Sequence, residues 1–214
     1  MSCTLELQNL STKIGENLLF ENVNLKLTHK EKIAIIGANG IGKSTLLEII
    51  AGLKAPNSGQ IKLFDKVVTS LGEYENLRPQ IGFLLQNSDE QFLCPSVFDD
   101  VAFSLNAQND KNANEKTEKI LKEFGIFHLK DKVPFHLSGG EKKLVALAGV
   151  LVTSPRILLL DEPTAGLDEH MQLKLCARLK SLDISTIIVS HDKNFIQDVA
   201  KNSFVLSKNG LSVI

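Results

Sequence analysis

Ile33-Ala34-Ile35-Ile36 runs straight into Gly37-Ala38-Asn39-Gly40-Ile41-Gly42-Lys43-Ser44, and this junction decides the fold. Four apolar residues in a row predict a strand buried on both faces, as in a parallel sheet. The next eight fit G-x-x-x-x-G-K-[ST], and the following STLLEIIAG predicts a helix that Gly52 can end. Strand, glycine turn and helix together make a phosphate-binding loop (P-loop). Its glycines let the backbone fold into a concave nest of N–H groups that accepts phosphate oxygens, and the helix N-terminus adds its dipole. Lys43 supplies a point charge for β- and γ-phosphates, and the Ser44 hydroxyl can ligate Mg²⁺.

Outward from that junction, strands alternate with helices. Leu5, Leu7 and Leu10, and again Val23, Leu25 and Leu27, have the near-alternation of half-buried strands. IKLF (61–64), IGFLL (81–85), RILLLDE, STIIVSHD and SFVLS are further strands. Helical spacing covers 97–105, 114–124, 141–153, 169–182 and 192–201. This predicts an α/β fold with a mainly parallel sheet packed by helices. Roughly 88–135 reads as a helical lobe inserted into that core. Its second helix, NEKTEKILKEF, carries Lys and Glu on a solvated face.

The chain has 214 residues, enough for one domain with an inserted lobe and a core that needs no staples. Apolar residues make up 43% and charged residues 23%, which excludes disorder. Lys+Arg 24 against Asp+Glu 25 gives a net charge of −1, so no bulk basic field drives nucleic-acid binding. Trp is absent and Tyr occurs once, which leaves few platforms for base stacking. Cys3, Cys94 and Cys176 lie far apart with no CxxC or Cys/His cluster, so neither zinc nor a disulfide framework is expected. Free cysteines and a start without a secretory leader suit a reducing compartment. The strongest apolar stretch, LVALAGVLV (144–152), has about half of the ~20 residues that a membrane span requires.

Two other segments carry chemistry. Ile157-Leu158-Leu159-Leu160-Asp161-Glu162 is a hydrophobic strand ending in two acids, and a bound cation gives such a pair a reason. Asp161 would hold Mg²⁺, through water, while Glu162 points the other way and could polarise an attacking water. Leu137-Ser138-Gly139-Gly140-Glu141 opens another helix. Ser138 and Glu141 form an S-x-x-E capping box, which would make the segment only a helix start. Two consecutive glycines weaken a first turn, however, and make sense if something must approach the backbone closely. A second helix N-terminus is then a second phosphate site, more than one nucleotide needs from one subunit.

Taken together, these residues resemble the ATP-binding subunit of an ABC transporter over nearly the whole chain. Gly37–Thr45 is similar to its Walker A, Ile157–Glu162 to its Walker B, and Leu137–Glu141 to its LSGG[QE] signature. Ala165-Gly166-Leu167-Asp168 resembles the D-loop, Gln86 the Q-loop glutamine and His191 the switch histidine. The resemblance implies a P-loop NTPase core with an antiparallel β part near the N-terminus and a helical lobe, forming one ATPase domain over 1–214 with its signature helix from 138. It implies ATP and Mg²⁺ as ligands. Gly37, Asn39, Gly40, Gly42, Lys43, Ser44, Thr45 and Asp168 would bind nucleotide, with Ser138, Gly139 and Gly140 contributed across a dimer. Ser44, Gln86 and Asp161 would hold the metal, and Glu162, His191 and Gln86 would serve catalysis.

In that family two domains dimerise head to tail, each ATP lying between the P-loop of one and the signature of the other, which accounts for two phosphate sites in one chain. The implied partners are a second copy or a paralogous ATPase and an integral membrane transport subunit, with no nucleic acid. The implied location is peripheral, on the cytoplasmic face of the membrane. Gln86-Asn87-Ser88-Asp89-Glu90-Gln91-Phe92 is similar to the QNPDDQ-F segment of cobalt, nickel and vitamin transporters of the energy-coupling-factor type, and Gly149 in LVALAGVLV stands where many other importers carry arginine. Alternatives are a soluble ABC ATPase outside transport, or an ATPase of another importer class. Three departures stand out: Ser88 replaces a proline, Ile14 occupies the place of the aromatic that stacks on adenine, and the chain lacks the C-terminal extension of many relatives. Phe92 and Phe98 are either apolar anchors on the lobe for a membrane partner or simple core packing.

Overall fold

A computed structural model describes residues 3–213. Among the described residues, ten strands form two sheets. The first is antiparallel, built from β1 (Cys3–Ile14), β2 (Asn17–Thr28), β4 (Ser58–Leu63) and β5 (Lys66–Val68) in the order β2-β1-β4-β5. The second uses β3 (Lys32–Ile36), β6 (Ile81–Leu84), β7 (Ile157–Asp161), β8 (Ser185–Val189), β9 (Asn202–Ser207) and β10 (Gly210–Val213), in the order β10-β9-β3-β8-β7-β6. Its pairs are parallel except for β10, which returns antiparallel at the edge.

The helices are α1 (Lys43–Ile50), α2 (Val97–Ala107), α3 (Ala113–Glu123), α4 (Gly139–Leu151), α5 (Glu169–Ser181) and α6 (Lys193–Val199). Each lies where its spacing predicts it, with ends displaced by a few residues. Side-chain caps set several starts: Ser96 accepts from the Asp99 N–H, Asp168 from Met171 and Asp192 from Phe195. The helices α2 and α3 fall within the segment read as the lobe, and both pack against α4.

The uniform apolarity of β7 has a simple cause. Ile157 and Leu159 enter a core shared with the antiparallel sheet and α1, while Leu158 and Leu160 enter the core under the helices. A strand feeding two cores has no polar face to show. The strand β8 does the same, with Ile187 and Val189 on one side and Ile188 on the other.

Two hairpins escape the sequence reading. Phe64 (φ 50) and Asp65 (φ 67) turn β4 into β5 in two residues, and Lys208-Asn209 turn β9 into β10. Positive φ at both central positions is normally announced by Asn-Gly or Asp-Gly, and Phe-Asp gives no such signal. The anchor reading is corrected for Phe92, while Phe98 stays partly exposed. Phe92 is buried, with its ring edge-to-face on Phe135 at 6.1 Å, and Phe98 packs against the helical core. Among the described residues, Cys94 and Cys176 are free thiols; the side chain of Cys3 lies outside them.

Gly52 ends α1 in the left-handed conformation, φ +72. A Cβ there would stand 2.2 Å from the ring of Tyr74, whose hydroxyl donates to the Ile49 carbonyl at 3.2 Å. Burial pushes the Tyr74 phenol up to about 12. A phenol raised in the fold adds stability that is complete below pH 10 and is lost as pH rises toward 12, at about 1.4 kcal/mol for each pH unit in that window. Tyr74 is the chain's sole tyrosine, so absorbance at 295 nm reads it alone. The native protein should titrate near pH 12, and the same chain in denaturant near the ordinary phenol value of about 10.

Candidate nucleotide site

Parallel pairing places the carboxyl ends of β3, β8, β7 and β6 side by side. This is the edge where ligands of open α/β sheets bind. The P-loop leaves β3, Ser190-His191 leaves β8, Asp161-Glu162 ends β7, and Gln86 follows β6. Lys43, Ser44, Gln86, Asp161, Glu162 and His191 line one cleft of about 660 Å³, together with Asn39, Gly40, Gly42, Thr45 and Ala165.

The P-loop is folded around its own lysine. Lys43 is buried, and its Nζ donates to the Gly37 and Ala38 carbonyls at 2.9 and 3.0 Å. Gly42 caps α1 at φ 103 with no side chain bonded to the helix start. A Cβ at Gly42 would meet Leu19 and Phe20 at 3.2 Å, so both conformation and crowding demand glycine. The loop thus offers backbone N–H groups and a helix N-terminus to an anion.

Asp161 is buried and the Ser44 hydroxyl bonds to it. Burial pushes its carboxyl above the usual range, against the opposing pull of Ser44, Lys43 and Lys143. A buried carboxylate left short of positive charge, beside a hydroxyl and within the cleft that Gln86 also lines, suits a hard cation bound by oxygen. The donor set therefore fits Mg²⁺.

Glu162 takes the opposite direction. Its backbone has φ 45, an unusual conformation for a residue with a side chain. Its carboxylate accepts the His191 backbone N–H at 3.3 Å and lies 3.3 Å from His191 Nε2. Acid and imidazole are thereby set together beside the P-loop.

Four expected contributors stay outside this cleft. Ser138, Gly139 and Gly140 open α4 elsewhere on the surface, and the capping box is formed: Glu141 Oε2 accepts the Ser138 N–H at 2.8 Å, and Ser138 Oγ accepts from the Glu141 N–H at 3.4 Å. The side chain of Asp168 likewise serves elsewhere, capping α5 by accepting from Met171 at 2.8 Å. Nothing inside the protomer requires the two glycines. A Cβ at Gly139 would come no nearer than 3.9 Å to any atom, and one at Gly140 would make ordinary contacts at 3.6 Å.

Two further residues join the site. Leu19 lines the cleft with Ile14, which is 53% exposed, so the wall expected to carry an aromatic is aliphatic. Lys143 is buried behind the cleft, and its Nζ donates to the Gln86 carbonyl at 2.7 Å. Burial holds its ammonium below the usual lysine range, with Asp161 and Glu162 pulling it back up. The only sequence signal for Lys143 is a second lysine directly after a signature glutamate, indistinguishable from a solvated pair.

The family model for ABC transporters matches residues 20–165. The chain belongs to the ABC transporter ATP-binding family. The cbiO1 structure from Clostridium perfringens, part of the ABC transporter complex cbiONQ, is 36% identical; the match covers 99% of this chain and 88% of that one, with a TM-score of 0.85. A dimeric post-hydrolysis structure of the ATP-binding cassette MJ0796, bound to ADP and Pi, is 27% identical with a TM-score of 0.87, over 97% and 96% of the two chains. A Bacillus subtilis (strain 168) protein named for HMP/thiamine import, YkoD, is 34% identical over 97% of this ABC ATPase, which spans 38% of its length. This cassette is accordingly an ATPase that uses ATP with Mg²⁺, and a subunit of a transporter.

Proposed function

We propose that this ABC ATPase powers an energy-coupling-factor-type importer of a transition-metal ion (cobalt or nickel) or a vitamin. In this reading the whole of 1–214 is one ATPase domain that works as a head-to-tail dimer on the cytoplasmic face of the membrane. The observation that carries it is the division of the phosphate devices. The P-loop, Gln86, Asp161, Glu162 and His191 share one cleft, whereas the glycines at 139 and 140 face outward with no internal reason to be glycine. A second copy presenting Ser138, Gly139, Gly140 and Asp168 to that cleft uses both halves.

The geometry supports the following roles in this reading. Gly37, Asn39, Gly40, Gly42, Thr45 and Lys43 bind the phosphates, with Lys43 leaving its own loop carbonyls to do so. Ser44, Asp161 and Gln86 would hold Mg²⁺, which offsets phosphate charge when bound. Glu162 takes the proton of the attacking water, and His191 orients Glu162 and faces the γ-phosphate. Ile14 and Leu19 offer the adenine an aliphatic wall in place of a stacking ring. Catalysis is chiefly positioning and charge stabilisation of the transferring phosphoryl group.

Coupling requires a surface for the membrane subunit. Among the described residues no helix is long and apolar enough to cross a bilayer. A groove of about 350 Å³ between the end of β6, α2 and α4 is lined by Phe83, Leu93, Asp100, Phe103, Gly149 and Val150. Leu93 and Phe103 are 70% and 46% exposed, and Gly149, where many importers place arginine, leaves the groove open. Leu93 and Phe103 are the exposed candidate anchors of this groove, and the buried Phe92 lines its floor. The energy-coupling-factor assignment is supported by the likeness to cbiO1, and the vitamin alternative by YkoD.

Leu93→Glu with Phe103→Glu tests the groove. Both side chains are exposed, so the fold should stand. ATP hydrolysis by the isolated subunit should persist, while ATP-driven uptake in reconstituted vesicles should fall at least tenfold. Uptake at the wild-type rate would place the membrane contact elsewhere.

A further inference from the structure

The two lysines after the signature glutamate grip the Q-loop from two sides. Lys143, 3% exposed, donates from Nζ to the carbonyls of Gln86 at 2.7 Å and Leu85 at 3.3 Å. One residue earlier, Lys142 Nζ pairs with Asp89 Oδ1 at 2.8 Å. The loop they hold is closed on itself. Gln91 accepts the Leu85 N–H at 2.9 Å and donates to the Phe83 carbonyl at 3.1 Å, and Asn87 accepts the Asp89 N–H at 3.2 Å. Residues 83–91 therefore form a rigid turn hung from α4 by two ammonium groups.

A buried ammonium satisfied by two carbonyls is expensive, and methionine would fill the same space without that cost. What the lysine supplies is a directional hold. Gln86 reaches into the nucleotide cleft from this turn. Ser138, the cap of α4, stands five residues before Lys143, roughly 7 Å along the helix axis. Lys143 thus joins the backbone of a residue that faces this protomer's own nucleotide to the helix end offered to the other copy.

We infer that Lys143, assisted by Lys142, is a positioning residue that makes the Q-loop and the signature helix move as one body, so that occupancy of one nucleotide site sets the alignment of the other. This rests on the composite-site reading above. Two discrete arrangements of the joined unit, with and without nucleotide under Gln86, would couple the sites through their differing contacts. Breaking the clasp should leave each P-loop intact while the two sites cease to cooperate.

The experiment measures steady-state hydrolysis against ATP concentration for the wild type, Lys143→Met, Lys143→Arg and Asp89→Ala, with a melting curve for each. Lys143→Met should lower kcat at least tenfold, change KM less than threefold and bring the Hill coefficient toward 1. Lys143→Arg keeps a cation within reach of the carbonyls and should recover kcat to within threefold. Asp89→Ala breaks only the exposed arm; it should speed hydrogen exchange at 86–91 and reduce the Hill coefficient partway. Wild-type cooperativity and kcat in Lys143→Met would overturn the clasp alone, as would a loss that tracks the melting temperature and is not rescued by arginine. If Lys143→Met fails to fold, Asp89→Ala decides, and unchanged exchange and cooperativity overturn the inference. A Hill coefficient of 1 in the wild type would sink the composite-site reading and the clasp with it.

Discussion

Glu162→Gln should bind ATP and hardly turn it over, with kcat reduced by about 10²–10⁴, the usual contribution of a positioned general base. The amide has the shape of the carboxylate and can still accept the His191 N–H that Glu162 accepts at 3.3 Å, so the local frame should survive. Removing the acid also removes its repulsion of the γ-phosphate. ATP should therefore hold two copies together, and a stable dimer should elute in size-exclusion chromatography with ATP but not with ADP. Turnover within threefold of the wild type would move the base to another residue. Asp161 is the wrong candidate, because it is buried and already bonded by the Ser44 hydroxyl.

On that background, Ser138→Arg should abolish the ATP-dependent dimer. Ser138 is exposed and is not among the residues that line the cleft, so the protomer has room for the larger side chain. The loss of its cap should cost about 1 kcal/mol of helix stability, visible as a small drop in melting temperature. The P-loop lies elsewhere, so the monomer should still bind a fluorescent ATP analogue with affinity within twofold. The arginine instead occupies the space where the other copy's phosphate must reach the α4 N-terminus. A double variant that dimerises normally with ATP would reduce Leu137–Glu141 to the capped helix start that its hydrogen bonds already make it within one protomer. The site would then be complete in a single chain.

These two variants bear on different kinds of information. Glu162 is legible in the sequence because its chemistry is local. A wholly apolar strand ending in two acids restricts where the acids can go, since a strand buried on both faces exposes polar groups only at its end. The P-loop is legible for the same reason, because the glycines, Lys43 and Ser44 act within eight consecutive residues. Ser138 is ambiguous, since a capping box and a phosphate-binding helix start share one sequence. The protomer forms the box, while a Cβ at Gly139 or Gly140 would meet only ordinary contacts within it, so the fold of one chain does not explain the glycines.

Local pattern alone was enough for the strand–helix alternation, the P-loop, the acids after β7 and the helical spacing of the lobe, because each depends on side-chain period or on contiguous residues. Which strand ends adjoin was settled only by folding. The order β3-β8-β7-β6 assembles residues 39, 40, 42–45, 86, 161–162 and 191 into one cleft, and pairing across such separations leaves no local trace. Folding also settled the two short hairpins, the burial of Phe92 in place of Leu93 and Phe103, and the task of Lys143. A lysine in a helix of ordinary amphipathic pattern reads as solvated. Packing α4 against the end of β6 removed its water and left two carbonyls as partners, and that exchange of solvent for backbone is a property of the folded chain alone.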